Sequence, residues 1–272
     1  MLWYEAIKRL LNRPGGRSIL GALISANYWW LHRSPLSVRW HKDGYWLMHY
    51  ADAVIPLHNP DASHYRDKEA VAIEAYFHLY QPKAGDVVVH VGAGAGWEAN
   101  LLSRLVGPDG HVFLIEAHPK TYLWLKRRID ASHLINVTPI KVAISDRSEL
   151  LHITDDVDHM LNQINAPGGI EVQAKSLEEI LTEYHVDRVD FLSMNIEGAE
   201  RQGVRGIGSA ASKIHRLAIS CHDFLADRGG DGWTRTKAEV DQMLRSYGYA
   251  VSYRNPCDQR DWTRDYLYAS RG

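Results

Sequence analysis

Three glycines fall at every second position, Gly92, Gly94 and Gly96, directly after the run Val87-Val-Val-His-Val91 and before an apolar, helix-like stretch from Trp97 to Val106. Strand, glycine turn and helix together are how an α/β sheet builds a nucleotide site. Glycine lets the backbone turn tightly and approach a ligand, and the helix N-terminus offers unpaired N–H groups. About 20 residues after the last glycine a second strand pattern, His111-Val-Phe-Leu-Ile-Glu116, ends in an acid that can accept both hydroxyls of a ribose. The pair predicts an adenosine-type ligand held by Gly92, Ala93, Gly94, Gly96 and Glu116. A second polar cluster, Asn195-Ile-Glu-Gly-Ala-Glu200, closes a later strand pattern, and His222 follows the next one. Asn195 can position a ligand, whereas Glu197 and His222 are side chains that can also take a proton. Asp155, Asp156, Asp158 and His159 are of the types that bind a hard cation, but a solvated acidic loop is the expected reading and no metal is assigned.

The elements that must carry these groups alternate along residues 63–272. Strands over 87–91, 111–116, 136–143, 189–195 and 214–221 are separated by helical patterns over 97–106, 120–131 and 177–184. Ser176-Leu-Glu-Glu179 has the form of a capping box. A helix over 237–247 and strands over 249–253 and 266–269 complete the chain. Such periodic units imply a mostly parallel sheet with helices on both faces. In open sheets ligands sit beyond the carboxyl ends of the strands, at the switch in strand order, where strands 87–91 and 189–195 would bring the glycine turn beside Asn195 and Glu197.

Residues 1–62 read as an N-terminal extension, assigned as substrate cover or oligomer contact. It holds a helix over Leu2–Leu11, a second helix that Ser18 can cap and that runs to about His32, and a hairpin around Asp43-Gly44. The second helix is apolar over much of its surface. It either packs on the rest of the protein or on a second subunit, giving a homodimer, or lies on a membrane surface with Arg13, Arg17, His32 and Arg33 at its margins.

At 272 residues the chain can bury a sizeable core, and a net charge of −2 argues against a nucleic-acid partner, which usually meets a strongly basic face. Two cysteines, Cys221 and Cys257, cannot make a disulfide framework, so a cytoplasmic location is expected. The charged start does not read as a signal peptide, and the apolar stretch Ile19 to Leu31 is too short to span a bilayer.

Five ordered blocks between about Gly85 and His222 resemble the FkbM-type S-adenosylmethionine-dependent methyltransferases. They are Gly85-Asp-Val-Val-Val-His-Val-Gly-Ala-Gly-Ala-Gly, the segment from Val106 to Pro119, Val142-Ala-Ile-Ser-Asp, Lys175-Ser-Leu-Glu-Glu, and Val189-Asp-Phe-Leu-Ser-Met-Asn-Ile-Glu-Gly-Ala-Glu. The resemblance implies a Rossmann-like seven-strand methyltransferase sheet with an antiparallel last strand, and methyl transfer, usually to oxygen, on sugars, polyketides and other natural products. It also places adenine beside Val142 and Ala143, and adds Ala117 and Trp97 to the expected cofactor-binding residues. The chain departs from the family pattern at His90, where Asp is usual, at Gly94, where Asn is common, at Ser193 and Asn195 in the fourth-strand block, and at Ser220 before His222. Trp97 either lines the methionine or substrate side or is a core ring.

The reading is therefore an S-adenosylmethionine-dependent O-methyltransferase acting on a small-molecule or glycosidic acceptor. Asn195, Glu197 and His222 should face the transferred methyl, with His222 the first candidate for the base. Two alternatives stand beside it. Gly94-Ala-Gly-Trp-Glu-Ala99 also fits a dinucleotide pattern, which would make an NAD(P)-dependent oxidoreductase. A catalytically inactive cofactor-binding or assembly protein would use the Trp-rich N-terminus as an interface.

Overall fold

Strand β4 shows why the sheet forms. Val89 and Val91 turn into one core layer and Val88 into the other, and the four residues Val88 to Val91 are all buried. A strand covered on both faces needs a continuous apolar run, and His90 is its one polar member. The computed structural model describes residues 11–154, 169–230, 232–254, 258 and 260–271. The helix expected over Leu2–Leu11, except Leu11 itself, and the loop 155–168 with its four candidate cation ligands lie outside the described residues.

In chain order the N-terminal part holds α1 (Arg17–His32), β1 (Ser37–His41), β2 (Tyr45–His49) and β3 (Val54–Leu57). The expected hairpin is present, with His41 opposite Tyr45. A third strand, absent from the sequence reading, pairs with β2 and puts Pro56 opposite Leu47. Pro56 is tolerated because β3 is the edge of this three-stranded sheet and a proline there removes no interior ladder bond. Ser18 does not cap α1: Gly16 occupies the N-cap and Ser18 lies within the first turn. α1 buries Leu20, Ile24 and Tyr28 in a small core with Trp46, Met48 and Ile55, to which Tyr65 and Trp97 also contribute.

The larger part runs α2 (Arg66–Tyr76), β4 (Val87–Val91), α3 (Ala99–Val106), β5 (His111–Glu116), α4 (Pro119–Ala131), β6 (Val137–Lys141), β7 (Ala143–Ile144), β8 (Glu149–Ile153), β9 (Ile170–Lys175), α5 (Leu177–Glu183), β10 (Phe191–Met194), α6 (Glu200–Arg205), β11 (Arg216–Ser220), α7 (Asp223–Asp227), α8 (Lys237–Ser246), β12 (Ala250–Tyr253), α9 (Asp261–Arg264) and β13 (Tyr266–Ser270). Seven strands form one sheet in the order β12-β13-β11-β10-β4-β5-β6. β13 is antiparallel to both of its neighbours, and the pairs from β11 to β6 are parallel. The capping box at Ser176 forms in full, the hydroxyl accepting from the Glu179 N–H while the Glu179 carboxylate accepts from the Ser176 N–H. The strand order reverses between β4 and β10, so the crevice at their carboxyl ends is where this sheet can hold a ligand.

The two parts meet at α4. The Val54 N–H donates to the Ser132 hydroxyl, which in turn donates to the Val54 carbonyl (3.1 and 2.9 Å). Among the described residues no helix is long and apolar enough to cross a membrane.

Candidate active site

The three glycines do three different jobs. Gly92 (φ 79°) lies so close to the Asn195 carbonyl that any Cβ would collide with it, so this glycine lets β10 end against the turn. Gly96 (φ 77°) faces α4, where a Cβ would come within 2.6 Å of Leu125 Cδ1. Gly94 (φ 55°) alone opens onto free space, and its N–H donates to Glu116 Oε2 at 2.9 Å. The other Glu116 oxygen accepts from the His118 N–H at 2.8 Å, which fixes the carboxylate at the end of β5.

A cavity of about 320 Å³ opens over these residues at the switch between β4 and β10. Of the residues singled out in the sequence, Gly92, Ala93, Gly94, Trp97, Glu116, Ala117, Val142, Ala143, Asn195 and Glu197 line it, and Gly96 and His222 do not. Val142 and Ala143 stand with Ile144 and Ile153 on an apolar side suited to a flat ring. Trp97 combines both roles left open for it: it lines the cavity and packs against the N-terminal core. The buried Arg128 guanidinium lies 4.2 Å from its ring centroid and donates from Nε to the Ala95 carbonyl at 3.1 Å, tying the turn to α4. Burial lowers the Arg128 pKa to about 10.

His222 is set back from the cavity as part of a buried carboxylate–imidazole–carboxylate arrangement. Its Nδ1 donates to Glu200 Oε1 at 2.8 Å, and Nε2 stands 3.5 Å from Glu197 Oε2. Glu200 also accepts from the Gly198 N–H and the Thr236 hydroxyl. Burial opposes charge on His222, but the hydrogen bond and charge of Glu200, together with Glu197, hold its pKa above the ordinary value. These contacts commit both ring nitrogens of His222 to carboxylates and leave neither turned to the cavity. Glu197 reaches the cavity from a left-handed backbone (φ 52°), a conformation that costs a non-glycine residue about 1–2 kcal/mol and that clusters at functional sites.

The cavity also contains Tyr76 and Glu98, which the sequence reading passed over, and His90, which it noted as a departure from the family pattern. Tyr76, at the end of α2, receives a hydrogen bond from Asn195 and is linked to Tyr266. Asn195 Oδ1 is left buried with no hydrogen-bond partner. His90 is buried, with Nδ1 2.7 Å from Ser193 Oγ and its ring edge-on to Tyr76. Burial pushes its pKa down to about 4, so it is neutral. Glu98 lines the cavity with Oε2 3.7 Å from His90 Nε2, and burial raises its pKa above the usual carboxylate range. Glu98 was legible within the glycine stretch. Tyr76 belongs to a helix whose position over the sheet only the fold supplies.

A second, polar cavity of about 550 Å³ adjoins the first and shares Ile144, Ile196, Glu197 and Ala199 with it. Its other walls carry Arg147, Arg201, Arg205, Asp146, Glu149 and Trp233.

A family model described as the methyltransferase FkbM domain matches residues 86–251. Among curated proteins the chain is 39% identical over 67 residues to a protein-L-isoaspartate O-methyltransferase of Ignicoccus hospitalis, covering 25% of this chain and 30% of that one. It is 29% identical over 100 residues to a protein of the same description from Methanothrix thermoacetophila, covering 34% and 48%. The chain thus spans less than half the length of these relatives. Among solved structures, a methyltransferase FkbM from Methylobacillus flagellatus is 19% identical, with 70% of this chain and 45% of that one covered and a TM-score of 0.47. Aeropyrum pernix fibrillarin, in complex with natively bound S-adenosyl-L-methionine, is 15% identical, with 87% and 99% covered and a TM-score of 0.46.

The family match contains every cavity residue named above except Tyr76. The dinucleotide reading falls away: Gly96, the second glycine of that pattern, faces Leu125 rather than the cavity, and β11 pairs with antiparallel β13 where a second parallel half would continue the sheet. The cofactor is S-adenosylmethionine. By a match that takes in more than half of its length, the chain belongs to the FkbM methyltransferase family.

Proposed function

We propose that this methyltransferase is cytoplasmic and transfers its methyl group to a hydroxyl of a small natural product, with sugars and polyketides the acceptor classes. One observation carries the reading: Glu197 is a wall common to the cofactor cavity and to the polar second cavity. A carboxylate at that junction stands between donor and acceptor, and the arginines, carboxylates and Trp233 beyond it suit a ligand with many hydroxyls.

The residues present fit the cofactor. Glu116 can take the ribose hydroxyls, the apolar side at Val142 and Ala143 the adenine, and the open backbone at Gly94 the methionine chain. Glu98 and the unpartnered Asn195 Oδ1 are acceptors on the cavity wall that an ammonium group can use. The bound cofactor supplies a methyl carbon already activated by the sulfonium, leaving the protein to align, exclude water and remove a proton. Glu197 is the group placed to accept the acceptor's hydroxyl proton as the O–C bond forms and the C–S bond breaks. His222, held by Glu200, is a positioning residue for Glu197 rather than the base.

Glu197→Gln should lower methyl transfer to hydroxyl acceptors by about 100-fold or more while leaving S-adenosylhomocysteine affinity within about twofold of wild type. Unchanged turnover would remove Glu197 as the base. Methylation of carboxyl but not hydroxyl members of an acceptor panel would overturn the hydroxyl assignment.

A further inference from the structure

α1 is apolar on two faces, and the small core uses only one. Leu20, Ile24 and Tyr28 turn inward, and Gly21 lets the helix press on the Val38 carbonyl. On the opposite face Ile19, Leu23 and Trp30 are 54, 52 and 66% exposed, with the exposed Ala22 and Ala26 between them. Trp29 and Leu31 flank this row and are also more than half exposed. No charged residue lies between Arg17 and His32, so the row has none of the charges that normally keep a helix face in water.

The chain segment that carries it is basic, although Asp43 follows it and Asp52 and Asp67 act on the inward-facing Tyr28. From Leu11 to Lys42 the chain carries Arg13, Arg17, Arg33, Arg39 and Lys42 and no acid, within a protein of net charge −2. Arg13, Arg33, Arg39 and Lys42 are exposed, and the Arg33 guanidinium stands 5.0 Å from the ring centroids of both Trp29 and Trp30. Within this segment no carboxylate offsets the exposed Arg13 and Arg33. A surface of anionic headgroups supplies the missing charge, and tryptophan beside arginine suits the boundary between headgroup and acyl chain.

We propose that α1 is a peripheral membrane contact that lies on anionic lipid, with Ile19, Leu23 and Trp30 inserted and Arg13 and Arg33 at the headgroups. The test is co-sedimentation of the full chain with vesicles of phosphatidylcholine alone and of phosphatidylcholine with a third phosphatidylglycerol. Binding is expected to the anionic vesicles only, falling by about fivefold or more in high salt. The double variant Leu23→Ser, Trp30→Ser should lose the binding while keeping wild-type affinity for S-adenosylhomocysteine, which confirms that it is folded. Arg33→Glu should weaken it. Failure of wild type to bind anionic vesicles would overturn the proposal. So would equal binding by the double variant, or a concentration-dependent dimer in wild type that the double variant abolishes.

Discussion

At the scale of single residues, the cavity places a partly buried carboxyl where a ligand cation could meet it. Glu98 faces a neutral imidazole, because burial holds the His90 pKa near 4. A charge-assisted hydrogen bond from a ligand ammonium is worth about 1.5–3 kcal/mol, or roughly 10- to 100-fold in affinity. Glu98→Gln should therefore weaken S-adenosylhomocysteine by that factor in calorimetry, yet leave 5′-methylthioadenosine, which has no amino-acid portion, bound as before. Equal loss for both ligands would mark the effect as structural, and no loss for either would clear Glu98 of the role. Asn195 joins Glu98 because its amide oxygen is buried with no hydrogen-bond partner.

At the scale of elements, the turn between β4 and α3 is shaped by its neighbours as much as by its ligand. Gly92 is demanded by the end of β10, and Gly94 only by the open cavity and its own left-handed backbone. Gly92→Ala should destabilise the protein by about 3 kcal/mol or more, since a Cβ collides with backbone that cannot retreat. Gly94→Ala should cost only about 1–2 kcal/mol and act mainly on cofactor affinity. Urea unfolding beside calorimetry separates the two, and a Gly92→Ala protein as stable as wild type would refute the packing argument.

For the molecule as a whole, two of the buried histidines, His90 and His222, should narrow the pH range of stability from opposite sides. His90 has a depressed pKa, so its contribution is complete above its unfolded value near 6.5 and is lost as pH falls toward about 4. Between about pH 7 and pH 4.5 that amounts to about 2 kcal/mol. His222 has a raised pKa, so its contribution is complete below about 6.5 and is lost as pH rises through the folded value. Denaturant midpoints across this range should show His90→Asn flattening the acid slope and His222→Gln the alkaline one. Slopes matching wild type in both variants would show that neither histidine is linked to folding. The same whole-molecule view explains the apolar α1: its inner face closes a core that reaches Trp97 at the cavity wall, and its outer face is the lipid contact proposed above.

The order of strands and helices, the glycine turn, Glu116 and the polar cluster at Asn195 to Glu200 were legible in the sequence, because β-branched runs, turn glycines and capping residues act over a few neighbours. The family blocks were legible for the same reason. The sequence could not separate the duties of the three glycines, which depend on Asn195, Leu125 and open space lying far along the chain. Nor could it show that His222 is locked between Glu200 and Glu197, since Glu197 and Glu200 follow β10, His222 follows β11, and only the parallel pairing of those strands brings them together. Local chemistry determined that a nucleotide site exists at the carboxyl edge of the sheet. The tertiary structure decided which side chains reach it, because burial and contact between β4, β10 and α2 are set by the packing of segments remote in sequence.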